Sequence, residues 1–249
     1  MAGNGTAPVR TTGEARTSNV ITTGKTMATA KVIRVWDIPT RVFHWSLVLL
    51  IAFSFYTGNV GGLREMDLHK LSGYAILALV TFRVVWGVIG SPRSRFADFV
   101  RRPGTILAYL RELRSAHRPA VGHNPLGALS VLALLASLAV QAVTGLFEQA
   151  DIFTKGPLVK YVSQATSNVL TTMHEVNANV LYVLIAAHLA AVMGYLLVKK
   201  ENLIRPMLNG RKPVGGGLAA DDDTPFVSIW RAVVVLIVAA IAVWFVVTY

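Results

Sequence analysis

Apolar and polar positions divide this chain on a long scale. Five apolar runs, at about 40–58, 68–90, 125–147, 172–198 and 228–248, are separated by polar or basic segments. Each is close to the roughly 20 residues that carry a helix across a hydrocarbon core. Their edges carry helix punctuation. Asp37 and Pro39 stand at the first entry, and Gly90, Ser91 and Pro92 stop the second run. Pro125 opens the third, and Lys199 and Lys200 close the fourth. The pattern predicts an all-α integral membrane protein, a four-helix bundle followed by a fifth, C-terminal transmembrane helix.

Composition agrees. Of 249 residues, 53% are hydrophobic and 15% charged, whereas soluble domains are near a quarter charged. The absence of cysteine excludes disulfides, thiolate-held iron–sulfur clusters and covalent haem attachment through C-x-x-C-H. A formal charge of +11 is not a nucleic-acid signature here, because the basic residues flank the apolar runs. Six lie in the segment up to Arg41. Arg93, Arg95, Arg101, Arg102, Arg111, Arg114 and Arg118 fill the segment 91–125, against Asp98 and Glu112. Lys199, Lys200, Arg205, Arg211 and Lys212 follow the fourth run, while 59–67 has only Arg64 and 148–171 only Lys155 and Lys160. The positive-inside rule then predicts a cytoplasmic N-terminus and a C-terminus on the outer side.

Between the runs, residues 1–31 are polar, lack an apolar signal-peptide core and read as a disordered extension, with Met27 a plausible alternative start. Residues 213–227 read as a Gly- and Asp-rich linker. Apolar residues interleaved with arginines in 91–125 suit an amphipathic helix on the inner membrane surface. The long outer segment 148–171 is a natural docking place for a partner.

The candidate chemistry lies in histidines. His174 and His188 are fourteen residues apart in the fourth run, nearly four helical turns, so both face one side about 21 Å apart along the axis. Counting depth along alternating helices puts His69, at the start of the second run, level with His174. His44, fourteen residues before Gly58, is then level with His188. Ionisable groups within a membrane are functional candidates by default. Two levels with two imidazoles each fit the axial ligation of two haem irons, outer His69/His174 and inner His44/His188. The alternative for any one of them is a bond to a backbone carbonyl or a place lining a cavity.

Four further residues extend the candidate cofactor site. Arg83 falls on the His69 face at the inner level, where it either meets a haem propionate or snorkels to the surface. Arg41, three residues before His44, is a second propionate candidate. His123, just before Pro125, either contacts a propionate or a quinone oxygen or, the favoured alternative, caps the helix or faces the interface. Gly73, one turn after His69, leaves room for a flat macrocycle. His117 reads as solvated.

The stretches VWDIPTRVFHW, LHKLSGYAILALVTFRVVWG, GHNPLGAL and HEVNANVLYVLIAAH together resemble the bacterial cytochrome b561 family. That family includes the b-type cytochrome subunits of nickel–iron hydrogenases and the membrane subunits of formate dehydrogenases. The resemblance covers about 32–212 and implies a four-helix domain holding two haem b groups on His44, His69, His174 and His188. It implies a multi-pass protein of the bacterial inner membrane and electron exchange between a periplasmic or membrane-tethered redox protein, such as a cytochrome c or hydrogenase-like module, and the quinone pool. A stand-alone superoxide:quinone oxidoreductase is the alternative. Assembly as a homodimer or a larger complex is left open. The fifth run, 228–249, departs from the four-helix pattern.

Overall fold

The computed structural model describes residues 31–112, 122–149, 154–214 and 225–249. The expectations for residues 1–30, for His117 and for most of the linker lie outside them. The described chain runs β1 (Lys31–Arg34), α1 (Ile38–Val60), α2 (Leu63–Ile89), α3 (Phe96–Phe99), α4 (Pro103–Glu112), α5 (Pro125–Gly145), α6 (Gln164–Leu197), α7 (Ile204–Asn209), β2 (Arg211–Val214) and α8 (Ile229–Thr248). A single 3-10 turn, Val159–Tyr161, precedes α6. Five helices, α1, α2, α5, α6 and α8, are long and apolar enough to cross a membrane.

Local chemistry sets the helix ends. The Asp37 carboxylate accepts from Thr40 N at 2.9 Å, ahead of Pro39 in the first turn of α1. Asn124 caps α5 through Gly127 N at 2.7 Å, and Ser163 caps α6 through Thr166 N at 3.2 Å. Only Gly61 and Gly62 separate α1 from α2, and both take positive φ, 73° and 102°. A reversal that tight favours residues without a Cβ.

Two helices begin earlier than the apolar runs predict. The start of α2 is at Leu63 rather than 68, and that of α6 is at Gln164 rather than 172. Hydropathy marks where lipid contact begins, whereas the backbone continues until a cap ends it. His69 and His174 therefore sit inside their helices rather than at the starts. The expected single helix across 91–125 is instead α3 and α4, interrupted before Pro103, which disfavours helix in the residue preceding it. The ribbon is an addition that the apolar pattern did not predict. β1 pairs antiparallel with β2, Lys31 opposite Val214 and Arg34 opposite Arg211.

Chain direction alternates, so the ribbon, α3, α4 and α7 share one face of the bundle with the starts of α1, α5 and α8. The α1–α2 turn and the 3-10 turn lie on the far face, where Tyr161 and Lys160 both donate to the carbonyl oxygen of Tyr249. The central helix is α2, which packs on α1, α5 and α8, while α6 lies along α5. One core joins Phe43, Leu47, Ile76, Val80, Trp86, Leu135, Leu138 and Leu181 with Ala232 and Ala239 of α8. Small side chains let α8 approach α2 closely, so the fifth helix is built into the core. Asn177 fastens α6 to α5. Its amide donates to the Ser137 carbonyl (2.9 Å) and to Gln141 Oε1 (2.7 Å), and its oxygen accepts from Ser137 Oγ (2.9 Å).

Candidate functional site

The far-face histidines meet. His69 on α2 and His174 on α6 have ring centroids 6.3 Å apart, with planes 81° to each other. Each ring is held by a carbonyl of the neighbouring helix. His69 Nδ1 donates to Ser54 O of α1 at 2.9 Å, and His174 Nδ1 donates to Gln141 O of α5 at 3.0 Å. A carbonyl can only accept, so each Nδ1 carries the proton and each Nε2 keeps its lone pair. This is how a metal-binding histidine is oriented, with the other ring nitrogen fixed by an outer partner. A metal–nitrogen bond of about 2 Å, with about 1 Å more to each ring centre, puts two axial imidazoles roughly 6 Å apart. The observed separation matches that requirement.

Two glycines make the approach possible. A Cβ on Gly58 would stand 2.9 Å from His69 Nδ1, and one on Gly145 would stand 3.0 Å from His174 Cε1. Gly73, the glycine singled out from the sequence, has open space where its Cβ would be, room for a ligand but no histidine contact. Sequence reasoning also missed Glu148, whose Oε2 lies 3.6 Å from His174 Nε2. Burial pushes the Glu148 carboxyl up, His69 pulls it back, and Glu175 raises it further. Its signal in the sequence was slight, one acid just beyond the third apolar run.

On the ribbon side, His44, His188, Arg83 and His123 gather. His188 is an electrostatic neighbour of both His44 and His123. His44 Nδ1, Arg83 Nη1 and His123 Nδ1 are all buried without a hydrogen-bond partner among the described residues. Each such atom costs about 1–3 kcal/mol if left unmade, so three together call for a ligand. Arg83 is 3% exposed and lies 5.0 Å over the Phe96 ring, so it does not snorkel to the surface. His123 does not cap α5, since Asn124 does. Its ring lies between Trp36 and Phe99, at centroid distances of 4.6 Å from each. Burial, with Arg83 and His188 adding to it, holds the His123 imidazole down at about 4, so it is neutral at physiological pH. Arg41 turns to α7, where its Nη1 donates to Leu208 O at 2.5 Å.

The far-face imidazoles form a pair, and among the described residues no group of three or more His, Cys, Asp or Glu side chains converges as a bare-ion site would need. A flat iron macrocycle needs two axial nitrogens, a gap between helices and cations for its carboxylates. The two Nε2 lone pairs, the open space at Gly73 and the unpaired Arg83 guanidinium fit those needs. Among known families, the model described as prokaryotic cytochrome b561 matches residues 35–210, well over half the chain. None of the curated proteins and none of the solved structures matches.

Proposed function

Because the chain belongs to the prokaryotic cytochrome b561 family, a family of membrane haem b electron-transfer proteins, we propose that it is a two-haem conduit between a periplasmic redox partner and the membrane quinone pool. The observation that carries this reading is the His69–His174 pair, two rings from different helices set 6.3 Å apart with both Nδ1 positions already committed.

Haem b, when bound, would supply one-electron transfer chemistry. His69 and His174 would hold one such group near the far face, and His44 and His188 the other near the ribbon. The carbonyls of Ser54 and Gln141 fix the outer imidazoles in the tautomer that binds metal. Arg83, buried with Nη1 unpartnered, would offer its guanidinium to a haem propionate. Leu181, buried midway between His174 and His188 along α6, keeps the space between the levels apolar.

The ribbon face carries most arginines and lysines and is assigned to the cytoplasm, which puts the C-terminus in the periplasm. A partner such as a cytochrome c or a hydrogenase-type module would dock over the segment between α5 and α6. Glu148 and Glu175, rather than a basic patch, border the outer pair, which offers no cationic funnel for a superoxide anion and weighs against the stand-alone oxidoreductase.

The test is haem stoichiometry. Pyridine haemochrome assay of the purified chain should give two haem b per polypeptide, and His188→Ala should give one, with the outer spectrum retained. A wild-type value of one or none, or a His188→Ala protein still holding two, rejects the assignment.

A further inference from the structure

The haem scheme leaves unused a cleft on the ribbon face. It lies between β1, the entry of α1, the end of α7 and the entry of α8, and encloses about 420 Å³. Arg34, Arg41 and Arg211 line it, with Ile38, Gly210 and Phe226 among its other walls. Arg34 and Arg211 stand directly opposite each other across the ribbon, an arrangement that like charges make unfavourable unless something neutralises them. Arg34 is steadied 4.5 Å over the Phe226 ring. Arg41 is anchored through Nη1 to Leu208 O, while its Nε is buried and unpartnered. Gly210, at φ 76°, keeps the space beside it: a Cβ there would stand 3.2 Å from Arg41 Nε.

The acid at the cleft edge does not neutralise these charges. Asp37 is 2% exposed, and its carboxylate accepts from Thr40 N, Ser94 Oγ and Trp86 Nε1. No carboxylate among the described residues forms an ion pair with Arg34, Arg41 or Arg211. Guanidinium groups gathered without a counterion recognise phosphate. Below the cleft the outer surfaces are apolar, with Ile38, Val42, Ile229 and Trp230 exposed along α1 and α8. That pairing, a cationic mouth over lipid-facing apolar helices, is the form of a headgroup site between transmembrane helices.

We propose that this cleft is a specific site for an anionic phospholipid, its phosphate held by Arg34, Arg41 and Arg211 and its acyl chains descending along α1 and α8. The proposal rests on the chain being in a membrane and not on the haem assignment.

The full haem-loaded chain, delipidated in detergent, is titrated with phosphatidylglycerol, with phosphatidylcholine of the same acyl chains and with inorganic phosphate, and bound lipid is counted by native mass spectrometry. One saturable phosphatidylglycerol should bind at least about tenfold tighter than phosphatidylcholine. The R34Q/R211Q variant should lose about tenfold for phosphatidylglycerol and nothing for phosphatidylcholine. R101Q/R102Q, on the same face outside the cleft, should bind as the wild type does. The haem spectrum reports folding of each variant. If the double variant does not fold, R211Q alone should lose about threefold. Asp221, Asp222 and Asp223 lie outside the described residues, and the wild-type chain retains them, so competition from them counts against the proposal. Equal binding of the two lipids, unchanged binding by the cleft variant, or an equal loss in R101Q/R102Q overturns it. Displacement of the lipid by inorganic phosphate at matching concentration also overturns it, since the ligand would then be the free anion.

Discussion

At the scale of single residues, the far-face site depends on what is missing from two positions. Gly58 and Gly145 give up a side chain so that His69 and His174 can lie against their neighbouring helices. Gly145→Ala would add a Cβ about 3.0 Å from the His174 ring, at the tight limit of packed contacts, so the ring must give way by a few tenths of an ångström. The expected result is loss of the outer haem with the inner one retained, read as one haem per chain by pyridine haemochrome. Two haems with unchanged spectra would show that the ring has room to spare. In the proposed two-haem scheme Arg83 would act through charge. A buried cation favours the reduced form of a nearby haem, so Arg83→Gln should lower the inner midpoint potential by on the order of 50 mV, about tenfold in a one-electron equilibrium. Potentiometric titration should show that one centre moves and the other stays. These roles differ in how visible they are. A histidine announces itself in an apolar run, whereas a glycine that admits it looks like any packing glycine.

At the scale of elements, α5 and α6 are joined by polar bonds inside an apolar bundle. Asn177 makes three hydrogen bonds to Ser137 and Gln141, and interhelical bonds in membranes contribute about 0.6 kcal/mol each. Asn177→Leu should cost roughly 2 kcal/mol, measured by denaturation in detergent, and should loosen the outer haem because Gln141 also positions His174. A second element-level prediction concerns the segment leading into α5. His123 is held at about 4 when folded and returns to about 6.5 when unfolded. The unfolded chain therefore binds the extra proton, and stability declines as pH falls through that window. Wild-type protein should lose up to roughly 3 kcal/mol relative to His123→Phe between pH 7 and pH 4. A difference independent of pH would mean that the folded imidazole titrates normally. The helices that hold these groups were legible as apolar runs. Their true ends were not, because the polar turns that extend α2 and α6 carry no hydropathy signal.

At the scale of the whole molecule, the bundle is asymmetric. α2 is surrounded by α1, α5 and α8, whereas α6 leans on α5 and turns much of its surface outward. Two of the histidines on which the proposed function rests therefore sit on the least enclosed of the five long helices, where a bound macrocycle would complete the packing. Removal of haem should accordingly loosen α6 first, seen as faster hydrogen exchange there than in α2. Equal protection in both helices would place the cofactor's structural role elsewhere. The sequence by itself determined five long apolar helices, their alternating direction and the places of four histidines along three of them, because hydropathy and the helical repeat act locally and leave a periodic record. Only the tertiary structure decided that Gly58 and Gly145 admit the outer rings, that Asp37 is consumed by Trp86 and Ser94, that His123 lies between Trp36 and Phe99, and that Arg34 faces Arg211 over a cleft. Each of those contacts joins residues far apart in the chain, and no local preference encodes which distant partner a side chain will meet.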